Sequence, residues 1–219
     1  MINDKINNDK YNFNRLKSYP DDNFNLNFIE SELSVVIIII DFINLTEIVK
    51  ESINKLINIT KQFNNDVLNL LNDKIYCNIN IYEIIGDSYI FTINFPYTMI
   101  SLNPVLLAIR FIIDIVNLSN KYIDIRIRIS YKKLHYGKIN NHIRIFGAGI
   151  CLALRLENKS SKNIIFLSEK FHKQFLEENK LINNNKYNLI FENYNNNIKG
   201  IGYCNYYSLN LEDNKLILL

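Results

Sequence analysis

Tryptophan is absent, and glycine (six), proline (three), cysteine (three) and methionine (two) are all scarce in this chain of 219 residues. Each shortage narrows the reading. Cys77, Cys151 and Cys204 are an odd, widely spaced set, which argues against a disulfide framework and for a reducing cytosol. The three histidines lack the spacing of a zinc site. No apolar run approaches the ~20 residues that a membrane span needs. The opening stretch, MINDKINNDKYNFNR, is too polar for a signal peptide. A cytoplasmic protein without a membrane partner is therefore expected. The net charge is only +3 and the basic residues are scattered, so no nucleic-acid partner is expected either.

What is present is ordinary for a globular chain: 48% hydrophobic and 21% charged residues. Asparagine is overused and fills loops where glycine, serine or aspartate would otherwise sit. Residues 1–32 are polar, with Pro20-Asp21-Asp22 as a turn signal, and read as a lead-in. Residues 33–219 read as one domain. Leu33 to Ile40 is a buried strand by length and β-branching. Apolar residues then recur at helical steps from Leu45 to about Leu71, which predicts one helix, with a break near Asn64-Asn65 and Asn44 as its N-cap. Ile75 to Ile85 and Tyr89 to Phe95 alternate around Gly86-Asp87 and predict a β-hairpin. Leu102 to Leu118 predicts a buried helix, and Ile123 to Tyr131 a period-two strand. His135 to Ile145 reads as the next strand and Gly147 to Glu157 as a short helix. Ile164 to Leu167 reads as a strand, Ser168 caps a helix to about Phe175, and two strands close the chain. The core order β-α-β-β-α-β predicts an α+β fold with a ferredoxin-like split sheet and extra C-terminal strands.

In such a sheet the first strand lies beside the hairpin. Asp41, at the end of the strand, and Asp87, at the hairpin turn, then become neighbours. Two carboxylates converging on one sheet edge repel unless a cation bridges them. Polymerase palms and nucleotide cyclases both use such a pair, with two divalent ions roughly 3.5–4 Å apart. The pair by itself therefore leaves the reaction open.

Six segments, in order, narrow it. IIIIDFINLTEIV, YEIIGDSYIF, IRIRIS, IFGAGICLALRLENKS, IIFLSEKFHKQF and IKGIGYCNYYSL resemble the successive motifs of class III nucleotide cyclase catalytic domains. The resemblance runs from about residue 33 to 209 and extends to the stand-alone pyrimidine cyclases of bacterial antiphage systems, which carry no sensor or membrane module. It implies that Asp41 and Asp87, with the Phe42 carbonyl, hold two Mg²⁺ or Mn²⁺ ions. It implies that Arg155 binds the charge building on the α-phosphate and that Lys199 neutralises the leaving phosphates. It further implies a homodimer in which each site takes its metals from one chain and Arg155 and Lys199 from the other. Two departures stand out. Cys151 occupies the place of the family's asparagine, four residues before the arginine, and lacks an amide's donor and acceptor. Arg128 and Ser130 replace a glycine and a histidine; Arg128 is expected as a solvated strand residue, with a phosphate contact as the alternative.

The two positions that face the base in this family are Glu83 and Arg144. Lysine and aspartate, the adenine-reading pair, are absent. Glu83 could accept from guanine or from the cytosine amino group. Arg144 would fill the space of a purine's second ring and could donate to uracil O4. Alternatively the two side chains pair with each other. The substrate expected is a pyrimidine triphosphate, UTP ahead of CTP. The alternatives are a guanylate cyclase, or a weakly active nucleotide-binding or dimerisation module.

Overall fold

The computed structural model describes residues 29–30, 33–96, 101–139, 142–156, 162–181 and 188–214. The lead-in assigned to residues 1–32 lies outside them except for Ile29–Glu30 (β1). The remaining elements are β2 (Val35–Phe42), α1 (Leu45–Glu51), α2 (Ile53–Leu71), β3 (Ile79–Ile85), β4 (Ser88–Ile93) and α3 (Pro104–Ser119). They continue with β5 (Ile125–Lys132), β6 (His135–Ile139), β7 (His142–Phe146), α4 (Ala148–Arg155), β8 (Ile164–Ser168), α5 (Glu169–Leu181), β9 (Phe191–Ile198) and β10 (Gly202–Asn210).

A seven-stranded sheet has the order β3-β4-β2-β5-β8-β10-β9. Its first four strands are the expected split β-α-β-β-α-β arrangement, all antiparallel. β8 joins β5 in parallel, and β10 and β9 extend the edge.

β2 explains its own composition. Every residue from Val35 to Ile40 is fully buried, because both faces of the strand are covered. Val36, Ile38, Ile40 and Phe42 pack with Phe63 and Val67 of α2, with α3, and with Phe171 and Phe175 of α5. Val35, Ile37 and Ile39 face the other way, toward Phe95, Leu134, Ile145 and Ala153. Burying each isoleucine stabilises the fold by about 1.5–3 kcal/mol. Asp41 continues the second of these faces and ends it.

Three expectations need correcting. The helix after β2 breaks at Ser52, not at Asn64-Asn65. Ser52 adopts an extended backbone, ends α1, and caps α2 by accepting from the Lys55 N–H at 3.3 Å. Asn64 sits within α2 and accepts from the Tyr89 hydroxyl, so tertiary contact overrides its weak helix preference. Asn44 is the N-cap of α1, but in a left-handed conformation and without a side-chain bond. Second, His135 to Ile145 is not one strand. β6 and β7 pair antiparallel and, with β1, form a separate three-stranded sheet. Third, α5 runs beyond Phe175 to Leu181, with Ser168 Oγ accepting from the Phe171 N–H at its start.

Candidate active site

The β3-β4 turn is as tight as a hairpin allows: Ile85 pairs with Ser88, leaving Gly86-Asp87 between them. Gly86 has φ +62°, the first-position requirement of a two-residue turn whose twist suits the strands. Ser88 in turn lies directly opposite Asp41. Asp87 is therefore the immediate neighbour of the residue that faces Asp41. The structure brings the two carboxylates to one end of the sheet, as expected. Asp41 is 9% exposed and Asp87 is half-buried.

The Asp41 carboxylate is already occupied. Its Oδ1 accepts from the Ser88 hydroxyl, and its Oδ2 pairs with the Arg128 guanidinium. Arg128 is not the solvated residue expected. It is 3% exposed, because β5 is an inner strand between β2 and β8, with α4 packed against it. Alternation along β5 puts Arg126, Arg128 and Ser130 on the face of β2 that carries Asp41, with Arg126 directly opposite Asp41. The period-two pattern IRIRIS correctly gives a strand. It cannot say that the arginine face is covered too.

Glu83 and Arg144 also meet. Tyr82 forms a bulge in β3, where the pairing with β4 slips between Ile81 and Glu83. Its hydroxyl donates to the Ile143 carbonyl at 3.2 Å and accepts from the Ile145 N–H at 2.9 Å, tying β7 over β3. Burial pushes the Tyr82 hydroxyl pKa up. The bulge turns Glu83 toward β7, where Arg144 Nη1 donates to Glu83 Oε1 at 2.7 Å. That bond, reinforced by the glutamate's charge, raises the Arg144 pKa further.

Arg155, Cys151 and Lys199 lie on other elements. Cys151, Leu154 and Arg155 lie on the exposed face of α4. Their neighbours Leu152 and Leu156 are buried and pack with Phe166 and Ile198. Ile198 leads directly into Lys199, exposed in the β9-β10 turn. Following the registers from β10 through β8 and β5 to β2 places that turn beyond the Val35 end of β2. Asp41 is at the other end, so strand spacing and rise separate it from Lys199 by on the order of 30 Å. One chain does not assemble all the expected groups in one place.

The chemistry of the donors suits a divalent cation, because Mg²⁺ and Mn²⁺ prefer carboxylate and carbonyl oxygens. Asp87 has no hydrogen-bond or ion-pair partner among the described residues. No cluster of three or more Asp, Glu, His or Cys side chains occurs among them. With both Asp41 oxygens engaged and Arg128 in contact, the residues fit one such ion; they do not fit two as they stand.

Among the described residues, no helix is long and apolar enough to cross a membrane. No family model and no curated protein matches the sequence. Solved structures do match. The adenylyl cyclase CyaB from P. aeruginosa aligns with a TM-score of 0.67 at 16% identity, over 84% of this chain and 96% of its own. The catalytic core of a rhodopsin-guanylyl cyclase with converted specificity, in complex with ATPαS, gives 0.66 at 18%, over 84% and 98%. The guanylate cyclase domain of RhGC from Catenaria anguillulae, in complex with GTP, gives 0.64 at 19%, over 81% and 96%. The chain thus has the α+β fold of class III adenylyl and guanylyl cyclase catalytic domains.

Proposed function

We propose that this chain is a nucleotide cyclase. It converts a nucleoside triphosphate to the 3′,5′-cyclic nucleotide and pyrophosphate. The observation that carries this reading is the placing of Asp41 and Asp87 side by side at one sheet end, within a fold shared with solved adenylyl and guanylyl cyclase domains. Asp41, Asp87 and the Phe42 carbonyl would hold the divalent metal, Mg²⁺ or Mn²⁺. Bound there, it would supply the Lewis acidity that eases ionisation of the ribose 3′-hydroxyl. A bond forms between the 3′-oxygen and the α-phosphorus while the bond to the β-phosphate oxygen breaks, releasing pyrophosphate. Arg155 meets the charge that develops on the α-phosphate, as a planar guanidinium does well. Lys199 neutralises the departing pyrophosphate.

Because Lys199 lies on the order of 30 Å from Asp41 within one chain, Lys199 and with it Arg155 serve the site of a second copy. A head-to-tail homodimer then forms two sites. Cys151 cannot replace an amide at the ribose, which favours a slow enzyme.

The substrate is a pyrimidine triphosphate, UTP ahead of CTP, with Glu83 and Arg144 at the base. Arg144 supports this by its length, which leaves little room for a second ring. GTP is the second reading, favoured by Glu83 as acceptor and by neighbours described as guanylyl cyclases. The antiphage role, in which cyclic UMP or CMP acts as a second messenger, is supported by sequence resemblance alone. Incubating the protein with Mn²⁺ and each of the four triphosphates, and identifying products by mass, tests activity and base together. Cyclic UMP as the main product is expected; equal trace turnover of all four would defeat the pyrimidine assignment.

A further inference from the structure

Arg128 has no part in the scheme above, yet it is among the most buried charged groups described, at 3% exposed. A guanidinium is taken out of water only where an acceptor compensates it. That acceptor is the Asp41 carboxylate. The surroundings reinforce the pairing. Ser88 holds the other carboxylate oxygen, which fixes how Asp41 is turned toward Arg128. Arg126 stands opposite Asp41 on the same face. Of the two carboxylates at this sheet end, Asp41 thus already meets a guanidinium before any ion arrives. A pair of divalent cations needs an excess of negative charge. Here one carboxylate is already neutralised from within the chain.

We infer that Arg128 is a built-in cation that takes the charge-balancing place of one of the two divalent ions, so the site takes up one ion with its nucleotide. The inference rests on the cyclase reading and deepens it. A guanidinium suits this role because it stays protonated, has a fixed fork of donors, and is only weakly hydrated. It supplies positive charge and orients Asp41. It cannot coordinate an oxygen as a metal does, so the one ion retained carries whatever coordination the reaction needs.

The test counts ions. Full-length protein is saturated with the α,β-methylene analogue of each triphosphate in turn, and the Mn²⁺ bound per chain is measured by electron paramagnetic resonance. Wild type is expected to hold one ion per chain, Arg128→Lys one, and Arg128→Met two. Arg128→Met should also gain more thermal stability from Mn²⁺ than wild type does, because a second ion then compensates Asp41. Two ions in wild type, or one in Arg128→Met, overturns the inference while leaving the cyclase reading intact. Failure of wild type to bind any metal-nucleotide overturns both. If Arg128→Met does not fold, the wild-type and Arg128→Lys counts still decide: one ion supports the inference and two refute it.

Discussion

Arg144 on β7 donates to Glu83 on β3 at 2.7 Å, so the two side chains proposed to read the base are bonded to each other. Both are substantially exposed, and such a pair is screened by water and holds the fold only weakly. A base can therefore open it at little cost. Arg144→Ser should fold normally and should lower the ratio of pyrimidine to GTP turnover by about tenfold or more, the usual effect of losing one base-reading contact. Initial rates with UTP, CTP and GTP measure it. An unchanged ratio would mean that other residues read the base.

Asp41 and Asp87 should fail differently when removed, although both belong to the same proposed metal site. Asp87→Ala removes a half-buried turn residue that bonds nothing among the described residues. It should abolish Mn²⁺-dependent pyrophosphate release while leaving the denaturation midpoint unchanged. Asp41→Ala removes the carboxylate that pairs with the buried Arg128. Breaking a buried pair by deleting one partner costs about 3–5 kcal/mol, so this variant should lose activity and much of its stability. Chemical denaturation beside the pyrophosphate assay separates the two. Equal stability loss in both variants would contradict the ion-pair geometry.

The sequence shows the carboxylate pair because it depends on short-range features. A continuous β-branched run must be buried on both faces, and Gly86-Asp87 between alternating strands must turn. Those two facts put Asp41 beside Asp87. The break at Ser52 is less visible, because one serine competes with a helical apolar pattern that continues through it. Asn64-Asn65 is a stronger break signal locally, but the Tyr89 contact that offsets it is remote in sequence. The Glu83–Arg144 pair needs the Tyr82 bulge, which has no local signature. Arg128 is the clearest case. Alternating Ile and Arg normally means one wet face, and only the packing of α4 against β5 shows that Arg128 is covered.

The separation of Lys199 from Asp41, with Arg155 proposed to act beside Lys199, gives a mixing prediction. Arg155→Ala and Asp87→Ala should each be inactive alone. Combined as equal, exchanging populations, half the dimers are mixed. A mixed dimer has one site carrying both defects and one site carrying neither, so activity should return to about a quarter of wild type. The pyrophosphate rate of the mixture, after co-incubation long enough for exchange, checks it. No recovery above the separate variants would place Arg155 in the same chain's site or outside catalysis.

Stability should also depend on pH through a group remote from the site. Glu178 of α5 is 2% exposed, and its Oε2 accepts from the Val105 and Leu106 N–H groups at 3.1 and 3.0 Å, at the start of α3. Its Oε1 has no partner among the described residues. Burial raises its pKa above the ordinary 4.5, outweighing the Leu106 and Val105 N–H groups and the Gln174 side chain, which favour the carboxylate. A folded-state pKa above the unfolded one means that the folded chain binds the proton more tightly. The contribution to stability is then fully present below about pH 4.5 and is lost as pH rises through the folded value. Glu178→Gln keeps an oxygen for the two N–H groups and removes the charge. It should match wild type near pH 4.5 and exceed it at pH 8, with the difference growing between. Urea midpoints of both proteins across that range measure the effect; a gap that shrinks with rising pH would show that the donors around the carboxylate outweigh burial.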